Sequence, residues 1–145
     1  MNQTKSVGRY ISCIYRYFHR YLHDHLQEYN IGSGQFHFLM MLYRKDGVNQ
    51  ETLAEHLNID KATSARAIKK LEQQGFVIRK RDQNDRRSYN IYLTEKAKKL
   101  KPKIRTILNE WTNILLKDIS QEQQNHLFNT LEKITQNATQ HYEQR

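Results

Sequence analysis

One cysteine, one proline and five glycines are all that 145 residues contain. The lone thiol, Cys13, excludes an intramolecular disulfide and any Cys-x-x-Cys pair, and it suits a reducing compartment. So few breakers argue against many short strands and predict that helices dominate. No run approaches the roughly 20 apolar residues that a membrane span needs. The N-terminal MNQTKSVGRYISC has no apolar stretch after its first charges, so it does not read as a secretory signal. The expectation is a cytoplasmic chain of one domain, residues 1–145, with no membrane partner. Enzyme machinery is missing too. His23, Asp24 and His25 diverge around a helix instead of converging, and there is no Gly-rich phosphate loop, so no catalytic residue and no cofactor is assigned.

Positive charge is abundant: 24 Lys and Arg stand against 15 Asp and Glu, a net charge of +9. It is unevenly placed. Residues 1–59 carry 6 basic and 5 acidic side chains, residues 104–145 carry 4 and 5, and residues 60–103 carry 14 and 5. A compact basic segment between nearly neutral arms concentrates and orients a polyanion, which makes nucleic acid the leading partner. A merely solubilising surface is the plain alternative, and local pattern must separate the two. A membrane-surface helix is the other rival. Lys96 to Lys103 comes closest, yet its apolar positions run on into a long stripe of core type.

Val7, Ile11, Ile14, Phe18, Tyr21, Leu22 and Leu26 recur at helical spacing and predict a long first helix over residues 7–29. Residues 31–34 interrupt it. Ser33 is expected to cap a second helix containing Phe36, Leu39, Met40 and Tyr43, ending near Asp46 and Gly47. Leu53, Ala54 and Leu57 mark a short third helix over residues 49–57. Asn58 and Ile59 form a tight turn, and Asp60 caps a fourth helix that stops at Gly75. Two strands, 76–81 and 89–93, flank the polar stretch QNDRRS, which should project as a wing. Thr94 and Glu95 open a long helix with a stripe of Leu100, Ile104, Ile107, Leu108, Trp111, Ile114 and Leu115. Ser120 caps the last helix, with Leu127, Leu131 and Ile134.

Helix, helix, turn, helix and ribbon make a winged helix-turn-helix, so the fold class is mainly α. In the fourth helix, Ser64, Ala67, Ile68 and Leu71 fall on one side and face a core. Ala62, Ala65, Arg66 and Lys69 fall on the other, flanked by Lys61, Thr63 and Lys70. Small residues beside long cations suit a helix lying against base edges: alanine methyls touch thymine methyls, and Arg66 pairs with guanine O6 and N7. An ordinary amphipathic surface helix is the alternative. The wing weighs against it. Arg86 and Arg87 sit at the tip, flanked by Arg79, Lys80 and Arg81, and an arginine on a narrow projection can enter an A·T-rich minor groove. Asp85 beside them is expected to hold one arginine in position.

With these residues in place, the stretch TLAEHLNIDKATSARAIKKLEQQGFVIRKRDQNDRRSYNIYLTEKAK, residues 52–98, resembles the MarR family of winged-helix transcriptional regulators. The pattern Leu-Glu-x-x-Gly, Asp-x-x-Asp-x-Arg and a closing Leu-Thr is met by Leu71, Glu72, Gly75, Asp82, Asp85, Arg87, Leu93 and Thr94. The resemblance implies a minor-groove role for Arg87, an orienting role for Asp85 and phosphate contact for Arg86. It also implies a homodimer, with residues 1–30 and 100–145 as dimerisation helices and residues 31–99 as the DNA-binding lobe. The stripe from Leu100 to Leu115 points the same way, being too long for one small lobe to cover. Tyr10, Tyr15, Trp111 and Leu131 are expected near that interface or the core.

The resemblance further implies a repressor on a pseudo-palindromic double-stranded operator, released by a small aromatic or phenolic ligand. Tyr17, Tyr21, His37, Met40 and Met41 are the candidate lining of its pocket, with plain core packing as the alternative. Two other sensing modes come with the family. Cys13 lies in the first helix, where oxidation-sensing relatives carry a cysteine, but it stands closer to the second helix than theirs and has no resolving partner. His19, His23, His25 and His37 invite a zinc reading, the first two as an i, i+4 pair. Zinc-responsive relatives add a histidine-rich start of helix five, and residues 95–104 contain no histidine, so no metal ligand is assigned.

Overall fold

The computed structural model describes residues 5–144. Its elements are α1 (Val7–Leu26), a 3-10 turn (Gln27–Tyr29), α2 (Ser33–Arg44), β1 (Val48–Asn49), α3 (Gln50–Leu57), α4 (Lys61–Gln73), β2 (Val77–Arg81), β3 (Tyr89–Leu93), α5 (Glu95–Leu115) and α6 (Gln121–Glu143). The chain divides into two compact units, Met1–Ile107 and Leu108–Arg145. Among the described residues, no helix is long and apolar enough to cross a membrane.

The first unit is a winged helix with α1 and the first half of α5 packed into it. Leu22 and Leu26 of α1, Phe38, Leu39 and Leu42 of α2, Leu53 of α3, Ile68 and Leu71 of α4, Phe76, Ile91 of β3 and Ile104 of α5 are all buried. Within each helix these residues recur at spacings of three or four, the stripe that a 3.6-residue period brings to one face. The sheet is antiparallel in the order β1-β3-β2. Val77 pairs with Leu93 and Arg81 with Tyr89, so β2 and β3 form the expected ribbon.

β1 is new relative to the sequence reading, and Asp46 explains it. One Asp46 carboxylate oxygen accepts the Leu93 backbone N–H at 2.8 Å and the Gly47 N–H at 3.0 Å, fastening this segment to the end of β3. Gly47 has φ +71, and a Cβ there would come within 2.8 Å of the Tyr92 ring. Only glycine enters β1 this way without strain.

Three boundaries differ from expectation for local reasons. Ser33 is the first residue of α2, not its cap. Gly32 is the cap: its carbonyl takes the N–H groups of Gln35 and Phe36 at 3.0 and 3.1 Å, and the Gln35 side chain returns to the Gly32 N–H at 2.8 Å. α2 ends at Arg44 because Lys45 turns extended and leads Asp46 to the sheet. The α-helical part of the first segment stops at Leu26, and its 3-10 turn closes on Asn30 in the left-handed region.

The second unit comprises the end of α5 and α6. Asp118, with φ +61, turns the chain between them. Ser120 caps α6 as expected, its Oγ accepting the Gln123 N–H at 3.2 Å while the Gln123 side chain accepts the Ser120 N–H. The long stripe of α5 is therefore shared. Leu100, Ile104 and Ile107 are buried in the first unit, whereas Ile114 and Leu115 are exposed in the second.

Candidate nucleic-acid interface

The α3–α4 turn is fixed by its ends. Asn58 adopts the left-handed conformation and gives its N–H to the last carbonyls of α3, the arrangement that ends a helix abruptly. Asp60 then caps α4, one carboxylate oxygen accepting the Thr63 N–H at 2.8 Å. The other accepts the Thr63 hydroxyl at 2.7 Å, and that hydroxyl in turn accepts a guanidinium N–H of Arg66 at 3.1 Å. These hydrogen bonds, the two to Thr63 above all and the Arg66 charge last, hold the Asp60 carboxyl below the usual carboxylate range. The chain Arg66 to Thr63 to Asp60 thus fixes Arg66 along the exposed side of α4.

The two faces of α4 separate as predicted. Ser64, Ala67, Ile68 and Leu71 are buried. Lys61, Ala62, Thr63, Ala65, Arg66, Lys69 and Lys70 are all exposed, giving two methyls and four cations on one open side. Lys61 lies 3.7 Å from Glu51 of α3, an exposed pair with little energetic weight. Ser64, deep in the helix, points its hydroxyl at the Ile59 carbonyl at 3.5 Å.

The wing is built from two aspartate turns. Asp82 accepts the backbone N–H groups of Asn84 at 2.7 Å and Asp85 at 3.3 Å, and these bonds, Asn84's first, depress its pKa. Asp85 accepts the Arg87 backbone N–H at 3.0 Å, and its carbonyl takes the Ser88 N–H at 3.1 Å. Asp85 therefore holds Arg87 through the main chain, by its backbone N–H. Aspartate bonding to a backbone N–H two residues on is the ordinary chemistry of such turns. Arg86 and Arg87 are exposed and have no ion pair among the described residues.

The base of the wing carries residues whose part the sequence did not disclose. Arg79 Nε lies 3.4 Å from a Glu72 carboxylate oxygen, and its guanidinium covers the Tyr89 ring at 4.8 Å, bracing β2 against the end of α4. Lys80 lies over Tyr92 at 5.2 Å. The signal was present as Glu72 and Arg79, but Glu72 lies in the last turn of a helix and Arg79 on a strand with a turn between them, so no single period relates the two.

The ligand candidates are dispersed over α1 and α2. Tyr17 is exposed, while Tyr21, His37, Met40 and Met41 are half-buried. The Tyr21 hydroxyl donates to the Ile107 carbonyl at 3.1 Å. His37 faces Tyr15 and His19, with ring centroids 6.4 and 5.7 Å away, and burial first and the His19 charge second push its pKa down. Nε2 of both histidines is buried without a hydrogen-bond partner. His23 instead contacts the Gln27 side chain at 2.6 Å. Among the described residues, no three His, Cys, Asp or Glu side chains are grouped to hold a metal ion. Cys13 is half-buried in α1.

Known proteins share this architecture. The MarR family model matches residues 31–89, from α2 to the far side of the wing. The HTH-type transcriptional regulator YybA of Bacillus subtilis (strain 168) is 32% identical over 117 residues, which is 81% of this chain and 78% of that protein. The crystal structure of a MarR transcriptional regulator from Methanosarcina mazei Go1 superposes with a TM-score of 0.90 at 48% identity, over 92% of this chain and 96% of that one. A MarR family regulator from Listeria monocytogenes, complexed with a 26mer DNA, superposes with a TM-score of 0.83 at 31% identity, over 92% of this chain and 89% of that one. A helix with a cationic outer face, braced to an arginine-tipped ribbon in such a fold, leaves one assignment: the chain belongs to the MarR family of DNA-binding transcriptional regulators.

Proposed function

We propose that the protein is a cytoplasmic homodimeric repressor that grips a pseudo-palindromic operator with two copies of α4 and two wings, and that a small aromatic or phenolic ligand releases it. One observation carries the DNA part: the open side of α4 and the exposed Arg86 and Arg87, without an ion pair among the described residues, stand in one unit, joined by the Glu72–Arg79 contact. Arg66, Ala62 and Ala65 read base edges, Lys61, Thr63, Lys69, Lys70 and Arg86 meet the backbone, and Arg87 enters the minor groove with Asp85 setting its main chain. The Listeria monocytogenes relative, solved in complex with a 26mer DNA, supports DNA as the partner. Two-fold pairing spaces the recognition helices about 34 Å apart, one turn of the duplex.

Residues 1–30 and 100–145 supply the dimer contacts in this reading, and residues 31–99 the DNA-binding lobe. Release needs a ligand that prefers the geometry unable to span two grooves, with a coupling of about 1–3 kcal/mol. Tyr17, Tyr21, His37, Met40 and Met41 are its proposed contacts. A second reading, an oxidation-responsive regulator with Cys13 as its one thiol, is favoured by a 36% identity over 78 residues, 54% of this chain and 53% of that protein, to the organic hydroperoxide resistance transcriptional regulator of Bacillus subtilis (strain 168).

Selection of bound genomic fragments followed by gel-shift titration tests the proposal. Recovered sites should contain two half-sites one helical turn apart, and Arg87→Ala should weaken binding to them while the protein stays dimeric. Unchanged affinity removes the wing from the reading, and half-sites without two-fold symmetry remove the dimer.

A further inference from the structure

The first turns of α5 and the 3-10 turn after α1 line an open cleft of about 300 Å³. That volume is at the lower end of the roughly 300–1,000 Å³ of small-ligand pockets. Lys96, Lys99 and Lys103 line it, with Glu28 as the carboxylate among the lining residues and the rings of Tyr29 and Phe76 as walls. The lysines are spaced three and four apart, so they stack along one side of α5, where like charges repel. Lys98 answers Glu95 at 3.4 Å, but none of the three cleft lysines has an ion pair among the described residues. Lys96 donates to the Gln74 carbonyl at 2.6 Å and sits over the Phe76 ring at 4.5 Å, and Lys103 sits over Tyr29 at 5.7 Å. A carbonyl and two ring faces hold these ammonium groups in place without neutralising them. Three positive charges facing one negative charge leave the cleft doubly positive.

We propose that this cleft is a binding site for a small dianion, of the phosphate monoester or dicarboxylate type. Lys99 and Lys103 take its charged oxygens, and Lys96 turns towards it from the Gln74 carbonyl. Gln74 is the C-cap of α4, and its side chain donates to the Asn30 carbonyl, so the occupied cleft abuts the far end of the recognition helix. The site is distinct from the one proposed for aromatic effectors: Tyr17, Tyr21, His37, Met40 and Met41 are absent from its lining.

Isothermal titration calorimetry of the full chain with glycerol 3-phosphate and, separately, succinate, at pH 7.5 and constant ionic strength, tests the site without DNA. One ligand should bind per chain, and whichever probe binds tighter identifies the class. Lys99→Gln should weaken that binding at least tenfold, and Lys98→Gln, outside the cleft, should leave it within twofold. Near-ultraviolet circular dichroism of both variants checks that they fold alike. No saturable heat with either probe up to 20-fold over millimolar protein overturns the proposal, as does an equal loss in the two variants. Because DNA takes no part, this failure leaves the operator-binding reading intact.

Discussion

Arg66 is held by the Asp60–Thr63 pair, whereas Lys69 is exposed and has no ion pair among the described residues, and this difference separates their expected phenotypes in the proposed complex. In the proposed complex Arg66→Ala removes a bidentate partner for one guanine, so it should relax preference at a single base pair by about 1–3 kcal/mol while leaving other positions unchanged. Lys69→Ala removes a proposed phosphate contact, so affinity should fall on every sequence and the slope of log K against log salt should flatten by about 1. Competition gel shifts with operator variants at three salt concentrations distinguish the two. A base-specific effect from Lys69, or none from Arg66, reverses the assignments. A half-buried counterpart is Tyr43, whose hydroxyl donates to the Ala97 carbonyl at 2.6 Å and whose pKa burial pushes up to about 12. Its folded pKa lies above the unfolded value near 10, so its contribution is complete below pH 10 and is lost as pH rises from there towards 12. Tyr43→Phe should cost about 0.5–1.5 kcal/mol at pH 7, and the gap to the parent chain should narrow between pH 10 and 12 in urea titrations. Parallel loss in both chains rules Tyr43 out.

At the scale of elements, the recognition helix was legible because thirteen residues give periodicity room to declare itself. Asp60, Ser64, Ala67, Ile68 and Leu71 each stand where the pattern put them. The ribbon was legible from alternation and from the polar loop between its strands. β1 was not, since two residues carry no period and its anchor is a carboxylate bond to Leu93, 47 positions along the chain. Asp85 was half legible: its place beside the arginines suggested that it holds one of them and the resemblance pointed to Arg87, but the sequence does not distinguish the backbone N–H from the guanidinium. The candidate pocket was least legible, because aromatic and methionine residues at helical spacing look alike whether they face a core, a partner or a ligand. Gly47 makes the element-scale prediction. Gly47→Ala forces a side chain into the left-handed region and against Tyr92, so it should cost about 1–3 kcal/mol in urea unfolding. It should also loosen β1 from β3, read as faster amide exchange at Ile91. A neutral substitution would mean that the Asp46 anchor tolerates another turn.

For the whole molecule, the decisive observation is how much apolar surface each unit leaves uncovered. Val7, Ile11 and Ile14 on α1 are 56%, 47% and 46% exposed, and Phe128 and Leu131 on α6 are 51% and 39% exposed. Single exposed apolar side chains are normal, but here they recur at helical spacing along whole faces, and α6 buries none of its residues within the chain. A helix of 23 residues with no buried side chain has little reason to persist alone, since helical stability comes mainly from packing an apolar face. A second copy supplies that packing in the proposed dimer, and obligate interfaces commonly bury 2,000 Å² or more. In the proposed dimer Phe128→Glu puts an uncompensated charge from each copy into an apolar contact. It should convert the protein to a single chain in sedimentation velocity at micromolar concentration and lower the helical signal. Operator affinity should collapse with it, because one α4 and one wing bind only a half-site. Arg87→Ala serves as the opposite control, dimeric yet weak on DNA. If Phe128→Glu still sediments as a pair, α6 does not carry the association; if the parent chain is itself single, the uncovered faces serve some other contact and two-fold reading of the operator fails.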